Sequence, residues 1–147
     1  MRVQRFVIAA VLAAGATFLS QGSTPGRDKD HAKMYEACAK ACDACAKECQ
    51  LCHEHCKRLT DAGQKEHEPA SKLCADCADV CAAAAKVVAR MGPLSAQNCE
   101  ACAKACDACA AECEKFPNDA HMTKCAKECR SCAKACRDMV AHLTPGK

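Results

Sequence analysis

Eighteen cysteines dominate the chemistry that this 147-residue chain could perform. They fall into four groups, and within each group the spacing alternates between three and four residues. The groups are Cys38, Cys42, Cys45, Cys49, Cys52 and Cys56; Cys74, Cys77 and Cys81; Cys99, Cys102, Cys106, Cys109 and Cys113; and Cys125, Cys129, Cys132 and Cys136. This alternation keeps side chains on one stripe of an α-helix, at heptad positions that face the core of a bundle. The sequence therefore predicts helices whose thiols point inward.

Thiols at this spacing could bind metal ions, form disulfides, or fill a core as small hydrophobes. Neighbours on one helix face lie about 5–6 Å apart at Cβ, so two sulfurs can turn toward one ion. The same neighbours fit the dihedral of a disulfide badly, whereas disulfides between helices stay open as an alternative. Soft Cu(I) prefers thiolates, and one Cu(I) per thiolate leaves a neutral core. We therefore rank Cu(I) above disulfides and disulfides above zinc.

Zinc and iron–sulfur clusters fit the pattern less well. Structural zinc sites use compact sets of four ligands, commonly from turns, and cluster motifs likewise come from loops. Four thiolates around one Zn²⁺ also leave surplus negative charge unless the thiolates are shared. Continuous helical runs of cysteine resemble neither kind of site.

The elements that must carry the cysteines are helical, because no stretch shows the period-two alternation of a strand. Gly and Pro punctuate the chain, and Ser95 is the predicted N-cap of the third helix. Residues 39–49 and 103–113 repeat one another at ten of eleven positions. The predicted helices cover about 31–60, 68–91, 95–116 and 118–143. Short connections predict an all-α, antiparallel up-down-up-down four-helix bundle with a cysteine-lined core.

Other residues supply little of the core. The chain has no Trp, one Tyr and three Phe, so Cys and Ala must provide much of the buried area that offsets chain entropy. The second helix continues its stripe with Ala84, Val88 and Met91, which form an ordinary apolar seam. Cysteine at the corresponding positions elsewhere therefore indicates a function beyond packing. His53 and His55 fall off the stripe, and we expect both to be exposed.

The N-terminus has the features of an export signal. Two arginines precede an apolar run at 6–19 that carries no charge. Without residues 1–23 the chain has 19 basic and 18 acidic residues, and this balance argues against nucleic-acid binding. The predicted divisions are a signal peptide at 1–23, a linker at 24–30 and a copper-binding four-helix domain at 31–147. The expected location is the periplasm, with no membrane contact in the mature form.

This combination resembles the cysteine-rich four-helix-bundle copper storage proteins of bacteria. The resemblance covers about residues 31–143 and rests on the inward-facing C-x-x-C and C-x-x-x-C runs in four helices. It implies multiple Cu(I) ions along the core, a bundle that is folded without copper, and homo-oligomers of bundles. Known members of this family include both exported and cytosolic proteins.

One end of the predicted bundle collects possible ligands outside the cysteine runs. The N-terminal ends of helices one and three lie there with the C-terminal ends of helices two and four. The residues are His31, Met34, Met91, Met139 and His142. Thioethers and imidazoles bind Cu(I) more weakly than thiolates, which suits an entry port; the alternative is that flexible methionines fill the end of the core. At the opposite end His67, Phe116, His121 and Met122 could form a second port or a cap.

The sequence thus predicts a protein that binds and stores Cu(I), with all eighteen cysteines as ligands. No nucleophile–base pairing, phosphate loop or paired-carboxylate site is evident, so we expect no enzyme activity. One alternative is a detoxifying sponge for soft metals, including zinc, silver and cadmium. Others are a disulfide-stapled structural protein and, more weakly, an iron–sulfur electron carrier. No copper donor or acceptor protein can be identified from the sequence.

Overall fold

Four α-helices follow one another in the structure, a computed structural model that describes residues 25–146. They are α1 (Pro25–Asp61), α2 (Glu68–Ala89), α3 (Ser95–Cys113) and α4 (Ala120–Leu143). Each helix packs on the next, and α1 also packs on α4, which closes an antiparallel up-down-up-down bundle. Between residues 25 and 146 there is no strand. The predicted fold class is confirmed.

Cysteine and alanine form most of the core. All eighteen cysteines are buried and none is in a disulfide. Alanines fill most of the remaining positions, and Tyr35, Val88, Met122 and Met139 are the larger buried apolar side chains. Large aliphatic residues therefore supply little of the apolar burial, as the composition predicts.

The first helix begins earlier than predicted. It starts at Pro25, where the sequence analysis has a linker up to residue 30. Proline is compatible with the first turn of a helix, and the charged residues that follow it in the sequence are also compatible with a helix. The predicted signal peptide at 1–23 lies outside the described residues. No helix within residues 25–146 is both long and apolar enough to cross a membrane.

The turn between α2 and α3 differs from the prediction in its cap. Met91 takes a left-handed conformation with φ of 50°, and the Gly92 N–H donates to the Val87 carbonyl at 3.0 Å. A Cβ on Gly92 would lie 3.2 Å from that carbonyl oxygen, so glycine suits the position. Ser95 begins α3 and donates its hydroxyl to the Gly92 carbonyl at 2.6 Å. The N-cap position belongs to Leu94, which has no side-chain capping bond.

Charged side chains link the outer faces of the helices. Arg130 on α4 contacts Asp107 and Glu114 on and just after α3, at 3.1 and 2.8 Å. Lys124 on α4 pairs with the largely buried Glu48 on α1 at 2.5 Å. The exposed pairs of Arg130 contribute at most about 1 kcal/mol each, so they orient the helices more than they stabilise them.

Candidate metal centre

Thiols from different helices meet throughout the core, because each helix turns its three–four stripe toward the bundle axis. Sulfurs on different helices approach to between 3.4 and 3.9 Å. The shorter pairs are Cys81–Cys102 at 3.4 Å, Cys42–Cys136, Cys49–Cys129 and Cys81–Cys106 at 3.5 Å, and Cys74–Cys109 at 3.6 Å. Sulfurs at such separations can share one soft ion after small rotations about χ1.

The thiols form overlapping groups of four. Within each group the sulfurs all lie within 4.8 Å of one another, and every member is buried. Five of these groups are Cys42, Cys102, Cys132 and Cys136; Cys45, Cys49, Cys77 and Cys129; Cys45, Cys77, Cys81 and Cys106; Cys49, Cys109, Cys125 and Cys129; and Cys52, Cys74, Cys113 and Cys125. Four of the five groups share members such as Cys45 and Cys129, and the fifth adjoins them through the 3.4 Å contact between Cys81 and Cys102, so the possible sites form a continuous series along the core.

Hydrogen bonds among the thiols favour thiolate at some positions and thiol at others. Bonds from Cys106 and Cys129 lower the pKa of Cys45 well below its ordinary value, although burial opposes this. The pKa of Cys106 is raised, chiefly by its bond to Cys102. At Cys132, bonds from three other thiols outweigh the raising effect of Cys102 and lower the pKa to about 7. S–H donors beside Cys45 and Cys132 therefore favour the thiolate form at these two positions.

The cysteine stripe of α2 stops short of one end of the bundle. We call that end the near end; it contains the N-termini of α1 and α3 and the C-termini of α2 and α4, and the opposite end is the far end. At the near end α2 contributes Ala84 and Val88, both fully buried. This confirms Ala84 and Val88 of the predicted apolar seam but not Met91, which is 55% exposed because α2 ends at Ala89 and Met91 lies in the turn that follows.

The near end brings some of the predicted port residues together. His31 Nδ1 lies 2.7 Å from His142 Nε2, so the two imidazoles share a hydrogen bond. Met139 is 1% exposed and Met34 is half-buried against the core, whereas Met91 is 55% exposed in the α2–α3 turn. The imidazoles therefore lie at the surface, the Met34 thioether is half-buried, and the Met139 thioether lies within the core.

At the far end, an acidic residue that the sequence analysis missed connects α1 with α4. The Asp119 carboxylate accepts hydrogen bonds from the backbone N–H groups of His121 and Met122, and so caps α4. The same carboxylate lies 2.7 Å from His55 Nε2. His55 is only 18% exposed in its side chain and stacks on His121, so the prediction that it faces solvent is wrong. The 64-residue separation of His55 and Asp119 explains why heptad position alone failed here.

His53 also departs from its predicted exposure. Its ring Nδ1 lies 2.9 Å from the Ser71 carbonyl oxygen on α2, and its side chain is 24% exposed. The residue lies at the edge of the α1–α2 contact, where a polar side chain can reach the neighbouring backbone. The far end is further closed by His67, which is buried and stacks on Phe116.

The fold and the buried thiols define a class of protein, a helical bundle whose core is a soft-metal site. A family model described as copper storage protein matches residues 30–141. The chain belongs to the copper storage protein family. No match was found among curated proteins.

Solved structures agree with this assignment. The Cu(I)-bound copper storage protein BsCsp3 is 38% identical, with a TM-score of 0.67 over 74% of this chain and 99% of that one. A cytosolic copper storage protein from Streptomyces lividans, described with five coppers, is 30% identical, with a TM-score of 0.71 over 77% of this chain and 97% of that one. The Streptomyces lividans protein Ccsp, loaded with 10 copper equivalents, is 30% identical, with a TM-score of 0.69 over 84% and 93%.

The predicted export to the periplasm is contradicted by this comparison, because one of these relatives is described as cytosolic. The prediction depended on two arginines and the apolar run at 6–19, which lie outside the described part of the chain. Hydropathy of one segment does not take into account the chemistry of the rest. Eighteen free thiols within contact distance of one another are stable in a reducing compartment and prone to disulfide formation in an oxidising one.

Proposed function

We propose that this protein stores multiple Cu(I) ions in thiolate sites along the core of its bundle. The observation that carries the proposal is the series of buried four-sulfur groups that share members. Membership of the copper storage protein family and the copper-bound structures of relatives support it. The proposed role is storage without catalysis, in which the core holds the ion away from redox cycling in solution.

The ligands in this proposal are all eighteen cysteines. Each is buried and has a neighbouring sulfur on its own or another helix, which supports two- or three-coordinate Cu(I). One Cu(I) per thiolate cancels the charge of the core, whereas a divalent ion in each four-thiolate group would leave a buried negative charge. Charge balance therefore favours Cu(I) over zinc.

Copper entry at the near end is the second part of the proposal. The paired imidazoles of His31 and His142 lie at the surface, and the thioethers of Met34 and Met139 lie further into the bundle. Weaker soft ligands can accept an ion and pass it to thiolates. Transfer then continues by exchange of one ligand at a time between groups that share a cysteine. Each thiolate formed releases a proton, so uptake weakens in acid.

Self-association is also part of the proposal. The large exposed apolar side chains Leu51, Met91 and Leu94 are each more than half exposed, which is unfavourable in a monomer. Two of them lie in the α2–α3 turn. Light scattering on the wild-type chain and on Leu51→Ser and Leu94→Ser variants tests this idea, and a monomeric wild-type chain would refute it.

An anaerobic Cu(I) titration of the reduced chain, in competition with a tight chromogenic chelator, tests storage. We expect uptake on the order of one ion per thiol, with little change in helicity, because we propose that the bundle is folded before copper binds. Blocking the thiols by alkylation under denaturing conditions provides the control. Uptake of only one or two ions, or thiols already paired in the isolated protein, would refute storage and favour a disulfide-stapled bundle.

Competition among metals separates storage of copper from a general soft-metal sponge. The copper-loaded chain is challenged with excess Zn²⁺, Cd²⁺ and Ag⁺ at a fixed free Cu(I) concentration. We expect Zn²⁺ and Cd²⁺ to displace little copper because of the charge that they leave in the core. Displacement by all three ions at similar concentrations would favour the sponge.

The proposed port predicts an effect on rate and not on capacity. The double variant Met34→Leu and Met139→Leu keeps apolar volume and removes two thioethers. We expect slower copper loading in stopped flow, and His31→Ala should slow it further. Unchanged loading rates in both variants would place entry elsewhere.

A further inference from the structure

Sulfur continues beyond the cysteines on one helix. Met122 lies three residues before Cys125 and Met139 lies three residues after Cys136, so both extend the three–four stripe of α4. Both methionines are buried at 0% and 1% exposure. The stripe of α4 therefore carries sulfur at six successive positions: Met122, Cys125, Cys129, Cys132, Cys136 and Met139. No other helix of the described chain combines thiols and buried thioethers in this way.

The thioether of Met122 lies within contact of two thiols. Its Sδ is 3.2 Å from Cys56 Sγ and 3.5 Å from Cys52 Sγ, and all three side chains are fully buried. These separations fall close to the 3.4–3.9 Å found between thiols of different helices. Met139 has no contact of this kind with a thiol in residues 25–146. Met122 is thus placed like a ligand of the core.

Polar contacts at the start of α4 hold Met122 in this position. Asp119 accepts the backbone N–H of Met122 at 3.2 Å and that of His121 at 2.8 Å. The same carboxylate contacts His55, the residue immediately before Cys56, at 2.7 Å. The first turn of α4 and the last cysteine turn of α1 are therefore linked through Asp119, close to the three sulfurs. A rigid outer set of contacts is typical of metal sites.

Charge makes a thioether favourable at this position. Cu(I) with two thiolates and one neutral thioether carries one negative charge, whereas three thiolates would leave two. Cys52 and Cys56 lie one helical turn apart on the α1 stripe, and both are fully buried. A third buried thiolate here would add to the repulsion between them. A thioether supplies soft coordination without another charge.

We propose that Met122, Cys52 and Cys56 form a three-sulfur Cu(I) site that closes the far end of the copper-binding core. The proposal rests on copper storage as the function of the chain, and it adds a thioether ligand to the cysteines. The competing explanation is that Met122 only fills space, since methionine packs well in irregular cores. The two explanations differ in what replacement of the sulfur does to copper.

Chelator-buffered Cu(I) titrations of the full-length, reduced chain compare wild type with Met122→Leu and Met122→Cys. We expect Met122→Leu to lower the affinity for one Cu(I) ion by at least about tenfold, while the other ions bind as before. Loss of even a residue that only supports a ligand costs about that much in metal affinity. Met122→Cys should recover part of that affinity, since it restores a sulfur ligand but adds a negative charge, and it should release one more proton on loading. Val88→Ala is the packing control, because it opens the core at the near end without touching sulfur.

X-ray absorption at the selenium edge adds a readout that packing alone would not affect. In the selenomethionine-labelled chain, copper loading should place a copper neighbour at selenium, and the signal should fall in the labelled Met122→Leu variant. Titration curves of Met122→Leu that overlay the wild type would overturn the proposal while leaving storage intact. So would a loss of several ions together with a lower melting temperature of the apo form. Failure of wild type to bind multiple ions would instead refute storage itself.

Discussion

The two ends of the bundle are built on different principles. At the far end every helix contributes sulfur, and the group of Cys52, Cys74, Cys113 and Cys125 takes one thiol from each. At the near end α2 contributes only Ala84 and Val88. The helix starts differ as well, because Asp119 caps α4 at the far end while Leu94 gives α3 no side-chain cap at the near end. Ordinary apolar packing thus suffices for α2 at the near end, whereas the far end uses a thiol from every helix.

The largest expected effect is that copper stabilises the two parts of α2 unequally. An ion present at a thousand times its dissociation constant stabilises its site by about 4 kcal/mol. Local opening of the helix at Cys74–Cys81 should therefore become about a thousandfold rarer on loading, and the segment at Ala84–Ala89 should change much less. Hydrogen exchange with mass spectrometry of the apo and loaded chain measures this. Equal protection along all of α2 would contradict the distinction between the ends.

Cysteines added to α2 at the near end should make the two ends of the bundle alike in copper binding. Ala84→Cys and Val88→Cys extend the α2 stripe by a step of three and a step of four beyond Cys81. We expect capacity to rise by about two ions, one per added thiolate. The apo form should lose about 1–3 kcal/mol because core volumes no longer match.

Ala83→Cys is the matched control for this double variant. Ala83 neighbours Ala84 but is exposed. Its thiol should add no ion that withstands a tight chelator. Equal gains from Ala83→Cys and Ala84→Cys would mean that the inward position of a thiol is unimportant.

A smaller effect should come from the cap at the far end. Asp119→Ala removes two backbone hydrogen bonds and the contact with His55, and we expect the apo form to lose about 1–2 kcal/mol. Chemical denaturation of the apo chain measures the loss. Glu114→Ala is the control, because the Glu114–Arg130 pair is exposed and should contribute less than about 1 kcal/mol. Similar losses in both variants would show that the cap has no special role.

The sequence alone could predict the features that depend on local spacing, such as the burial of the thiols, but not those that depend on contacts between distant residues, such as the Asp119 cap and its partner. An alternation of three and four fits only one helix stripe, so the burial of all eighteen cysteines follows from local spacing. A step of three before Cys125 places Met122 on the same stripe. The burial of Met122 and its contact with Cys56 could therefore have been predicted from the spacing. The His55–Asp119 contact was not, because it depends on how the α3–α4 turn places residues far apart in the chain. Helix starts were likewise uncertain, since the charged residues after Pro25 favour a linker and a helix about equally.

The smallest expected effect is on the pH dependence of the stability of the apo form. It separates the contribution of the Asp119 charge from that of its hydrogen bonds. Burial raises the pKa of this carboxyl, but bonds from His55 and the backbone of Met122 and His121 outweigh burial and lower the pKa overall. A carboxyl with a lowered native pKa adds stability above its unfolded value of about 3.9 and loses it as the pH falls through the native value. In Asp119→Asn the side-chain oxygen can still cap α4, but without charge. Apo melting curves should therefore separate wild type from Asp119→Asn near neutral pH and converge below about pH 4. A melting-temperature difference that stays constant from neutral pH to below about pH 4 would mean that the geometry of the Asp119 hydrogen bonds, and not the charge, stabilises the far end.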